Sequence, residues 1–114
     1  MSDFLTPPEL DQRLTKVVDR IADGVRVCDR LYRERLQAAG DYDRAFARAY
    51  LAHEGPAHEK RYAAELATER ERNARDVAEA AHRYAEGTAR ALRDELDSLR
   101  SLGASLRAQF GAAS

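Results

Sequence analysis

Ala49-Tyr50-Leu51-Ala52-His53-Glu54-Gly55-Pro56-Ala57 is the stretch on which the fold turns. Gly55 permits a chain reversal, and Pro56 disfavours helical geometry in the residue before it. No proline lies between Pro8 and Pro56, and none follows Pro56. The stretch therefore predicts a turn at 54–56 between two helical arms, 7–53 and 57–110. The predicted fold is all-α: a long antiparallel helical hairpin, coiled-coil-like, that oligomerises into a helical bundle.

Upstream of the turn, residues 1–6 form an N-terminal cap segment. Thr6-Pro7-Pro8-Glu9 reads as a helix start, with a Thr N-cap, proline at the first helical position and Glu three residues after the Thr. From there Leu10, Leu14, Val17, Ile21, Gly24, Cys28 and Leu31 recur at alternating spacings of four and three, a heptad seam. Val18, Val25, Tyr32 and Leu36 widen it. Charged residues fill the remaining positions, and Glu9 to Arg13 and Asp29 to Arg33 stand in the favourable i,i+4 order. Gly40-Asp41 offers either a break or a kink. Beyond it Tyr42, Ala45, Phe46, Ala49 and Tyr50 keep a helical spacing.

Downstream, the absence of proline and the density of alanine predict one uninterrupted helix over 57–110, followed by a tail at 111–114. Its last third repeats in sevens. Leu92, Leu99 and Leu106 share a face, Arg93, Arg100 and Arg107 form a row beside it, and Leu96, Leu102 and Phe110 widen the apolar side. Gly103 would admit another backbone at close range. A lone hairpin has one helix–helix interface in which to bury such stripes, so the expected outcome is a homo-oligomer, at least a dimer. Its seam is expected at Leu14, Val17, Ile21, Cys28, Leu92, Leu96, Leu99, Leu106 and Phe110.

Composition narrows the chemistry. The chain has 114 residues, 44% apolar and 34% charged, with a formal net charge of -1. Its size allows one small domain, and its charge supplies no global positive field for a polyanion. All 19 basic residues except Lys16 and Lys60 are arginines. The single Cys28 excludes an intramolecular disulfide. The expected setting is cytoplasmic, with no membrane span. His53 and His58 are five apart with Gly55-Pro56 between them, which is wrong for a two-histidine zinc helix. His82 stands alone on its helix and is expected at the surface. With no phosphate-binding loop, nucleophilic triad or cofactor motif, the chain is expected to be no enzyme and to hold no cofactor or metal.

The Arg93, Arg100, Arg107 row, with Ser98, Ser101 and Ser105 nearby and no acid after Asp97, has two readings. It follows a phosphate backbone, or it lies over the leucine seam and pairs with acids of a neighbouring helix.

Ala49 to Gly55, Arg61 to Thr68, Ala78-Glu79-Ala80 and the leucine–arginine run from Leu92 to Ala108 resemble a family of small helical proteins encoded by tailed phages. In outline the chain is also similar to the recombination mediators of T-even phages. That resemblance implies an oligomeric accessory to DNA recombination or replication, which binds single-stranded DNA and a recombinase in the host cytoplasm. The alternative is a protein–protein interaction module, such as a phage-encoded inhibitor or assembly adaptor, with no nucleic acid. A secreted helical hairpin of the type VII substrate sort ranks third, because its Trp-x-Gly turn is replaced here by Gly55-Pro56.

Overall fold

Helix α1 (Pro7–Ala52) starts where Thr6 and Glu9 cap one another. The Glu9 N–H donates to Thr6 Oγ1 and the Thr6 N–H donates to the Glu9 carboxylate, both at 3.3 Å. This reciprocal pair satisfies two N–H groups at the helix start. The Glu9 carboxylate is thus engaged at the helix start, and among the described residues no ion pair joins it to Arg13. The computed structural model describes residues 5–113, so residues 1–4 of the expected cap segment and Ser114 of the tail lie outside the described residues.

α1 passes through Gly40-Asp41 without a break. Arg44 folds back there, donating to Asp41 at 2.9 Å, and its guanidinium lies beside Gly40. The helix ends at Ala52. Gly55 then adopts φ +149°, a conformation that L side chains rarely take. Pro56 next supplies the carbonyl that accepts the N–H groups of Glu59 and Lys60, at 3.0 and 3.1 Å.

The expected single helix over 57–110 is two: α2 (Ala57–Ala67) and α3 (Glu69–Ala113). The division falls on Thr68, whose backbone leaves helical geometry at φ -117°, ψ 20°. Its buried hydroxyl donates to the Ala64 carbonyl at 2.6 Å. The Glu65 carbonyl takes the Arg72 guanidinium as donor, seven residues on. Side chains thus satisfy carbonyls at the junction, and the helix resumes with the Arg72 N–H on the Thr68 carbonyl at 2.9 Å. Among the described residues there is no strand, and no helix is long and apolar enough to cross a membrane.

Two compact units are built from these helices. The terminal unit combines Met1–Val27 with Glu86–Ser114. Its core is Leu10, Val17 and Leu99, flanked by the partly buried Leu5, Leu14, Ile21, Leu96 and Leu106, and Leu92 is buried as well. Large apolar side chains at heptad spacing on both helices make this a conventional two-helix seam. Gly103 belongs to it, buried close to Leu10.

The turn unit is Cys28–Ala85. Here α1 runs antiparallel to α3, with Arg35 meeting His82 and the later Tyr42 meeting the earlier Arg75. Its interior is small and polar, and its buried residues are Ala64, Thr68 and His82. Tyr42, Phe46 and Tyr50 form a row of rings along α1, with centroids 6.1 and 6.4 Å apart. The Arg75 guanidinium lies 4.5 Å from the Tyr42 ring centre and the Lys60 ammonium 5.8 Å from that of Tyr50.

Candidate functional site

Within the terminal unit, Pro7, Leu10 and Leu14 of α1 and Leu99, Gly103, Leu106 and Phe110 of α3 line an open cleft of about 310 Å³. Spacings of three and four residues put each set on one face of its helix. Among the described residues the charged side chains of the lining are Asp11, Arg100 and Arg107. Capping by Thr6 holds the first turn of α1 in place, and the missing side chain at Gly103 lets Leu10 approach α3. Phe110 is 61% exposed at the cleft.

The arginine row divides. Arg100 and Arg107 line the cleft, whereas Arg93 lies outside its lining. All three side chains are exposed, and among the described residues none forms an ion pair or hydrogen bond with another. The expected seam residues fall in both units. Leu14, Val17, Ile21, Leu92, Leu96, Leu99 and Leu106 are buried or half-buried in the terminal unit, where Leu14, Val17, Ile21, Leu96, Leu99 and Leu106 pack in one cluster. Phe110 is exposed. Cys28, half-buried with a free thiol, belongs to the turn unit.

His82 corrects the surface expectation. It is 8% exposed, its ring centre 5.4 Å from that of Tyr32, and its Nδ1 accepts from Arg35 Nη1 at 3.2 Å. A guanidinium has no acceptor, so the ring nitrogen must be one. The signal was present in the sequence: counting back from Leu92 in steps of three and four reaches Ala89, Ala85, His82, Ala78, Arg75, Glu71, Thr68 and Ala64. All of these are buried or half-buried.

His53 Nε2 lies 3.7 Å from Glu59 Oε2 beside the turn, and His58 is exposed. Among the described residues no group of three or more His, Cys, Asp or Glu side chains is placed to hold a metal ion. Asp76, hydrogen-bonded to Arg75, holds that guanidinium still more firmly protonated than usual. Its cation over Tyr42 therefore persists at any ordinary pH.

The turn unit presents the opposite of a core on its outside. Tyr62 and Leu66 share a face of α2, and Val77 and Tyr84, seven apart, share a face of α3. Each is between 63% and 80% exposed. Leu51 of α1 is 77% exposed. No protein-family model, curated protein or solved structure matches this chain.

Proposed function

We propose that this chain is a non-enzymatic, self-associating helical interaction module whose copies meet through the outer face of α2 and α3. One observation carries the reading: the turn unit buries Ala64 as its apolar core residue while exposing Tyr62, Leu66, Val77 and Tyr84. Burying a large apolar side chain contributes about 1.5–3 kcal/mol. A unit with such an interior has large apolar side chains left to bury against other helices. A second copy offers the same rows at heptad spacing and completes a bundle. Sedimentation of the whole chain across micromolar concentrations tests this. Self-association is the expected result, and a monomer throughout removes the reading.

A second reading, an accessory of recombination that binds single-stranded DNA, is favoured by the exposed Arg93, Arg100 and Arg107 with no acid paired to them among the described residues. Against it stand the net charge of -1 and the apolar floor of the cleft between Arg100 and Arg107.

A further inference from the structure

We propose that the cleft of the terminal unit is the seat of a partner helix, amphipathic and acidic along its flanks. The inference rests on the reading of the chain as an interaction module but uses a different surface. The cleft floor consists of two apolar rows, Pro7, Leu10 and Leu14 on α1 and Leu99, Leu106 and Phe110 on α3. Two such rows, with Pro7 and Phe110 exposed and Leu14 and Leu106 half-buried, are the surface into which the ridge of a third helix packs. An extended strand has a period of two and would leave every other side chain without a place on rows spaced by three and four.

Charge selects the occupant. Among the described residues of its lining, Arg100 and Arg107 stand against one acid, Asp11, so these residues carry a net positive charge. Among the described residues neither arginine has an ionic partner. A second copy docking the same face would bring four arginines to two aspartates, a net repulsion that opposes a two-fold contact here. A helix carrying glutamates beside its apolar ridge meets both requirements. A nucleic-acid strand meets only the charge. It leaves the leucine floor uncovered by base stacking, because among the described residues of the lining Phe110 is the one aromatic side chain.

Two synthetic amphipathic peptides test the assignment against the whole chain. Both carry a leucine ridge at i, i+4, i+7 and i+11. One has glutamate flanks, and the other has lysines at the same positions. Fluorescence anisotropy with labelled peptide is the readout, and a labelled oligothymidine is run in parallel. The glutamate peptide is expected to bind at least about tenfold more tightly than the lysine peptide and to weaken as salt is raised. Arg100→Gln with Arg107→Gln is expected to weaken it about three- to tenfold, whereas Arg20→Gln, outside the cleft, leaves it unchanged.

Equal affinity for the two peptides, or no binding of either, overturns the proposal. So does oligothymidine binding that is lost with the two arginines while the peptides fail to bind. Dissociation of an oligomer by Arg100→Gln with Arg107→Gln would make the cleft a self-interface and overturn it too. Self-association that persists while the peptides fail leaves the interaction-module reading standing without this partner. A monomer that nonetheless binds the glutamate peptide removes the self-association and keeps the cleft.

Discussion

Gly103 faces Leu10 so closely that a Cβ built on it would stand 3.3 Å from Leu10 Cδ2. At Gly24, on α1 of the same unit, a Cβ meets nothing within 4 Å. The two positions should therefore respond oppositely to a side chain. Gly24→Ala is expected to stabilise by about 0.5–1 kcal/mol, because alanine loses less backbone freedom in a helix. Gly103→Leu is expected to destabilise by about 1–3 kcal/mol through overpacking against Leu10. Urea midpoints at one fixed chain concentration decide the matter, and a stabilising Gly103→Leu would show that this approach is not close in solution.

Gly55 provides a separate test of the turn. Its φ of +149° belongs to backbone that side-chain-bearing residues avoid, and a Cβ there would stand 2.5 Å from Glu59 Oε2. The Glu59 side chain can swing aside, so backbone strain dominates. Gly55→Ala should cost about 1–3 kcal/mol. Replacing the exposed Ala57 next to Pro56 by serine should change stability by no more than about 0.5 kcal/mol.

Leu99 and Val77 separate folding from association. Leu99 is 7% exposed within the cluster of Leu10 and Val17, and Leu99→Asp would leave a carboxylate without a partner among aliphatic side chains. Loss of helix signal in circular dichroism is the expected result, since a buried unpaired charge costs several kcal/mol. Val77 is 69% exposed, and Val77→Asp should keep the helix signal while lowering the sedimenting mass. Unchanged mass for Val77→Asp would place the association surface elsewhere.

The terminal unit was legible because its seam is written in Leu, Val and Ile at heptad spacing. Thr6 and Glu9 announced the first helix and Gly55-Pro56 the turn. In the turn unit the same spacing continues, but Ala64, Thr68, Glu71, Arg75 and His82 occupy it, so apolar periodicity goes silent while the geometry persists. Thr68 interrupts the second arm through a side-chain bond to Ala64, and neither Gly nor Pro marks the place. Leu10, Leu14, Leu99, Leu106 and Phe110 were legible as apolar stripe residues and Arg100 and Arg107 as a row beside them, but not as the lining of a cleft. The cleft that they line with Pro7, Asp11 and Gly103 exists only once the two helices lie side by side.

His82 gives this difference a measurable form. A surface histidine can be truncated with a change of no more than about 0.5 kcal/mol, and the exposed His58 should behave so as His58→Ser. His82 is packed against Tyr32, and its Nδ1 accepts from Arg35. His82→Ser removes the ring from the seam, leaves a void beside Tyr32 and deprives Arg35 of its acceptor. The expected cost is about 1–3 kcal/mol, from lost packing and a half-buried donor left without its partner. His82→Gln retains an acceptor within reach of Arg35 and should recover part of that loss. Chemical unfolding of the three variants at equal concentration checks the order, with His58→Ser most stable, His82→Gln next and His82→Ser least. Equal midpoints for His58→Ser and His82→Ser would return His82 to the surface and, with it, dissolve the pairing of α1 and α3 through the polar layer of the turn unit.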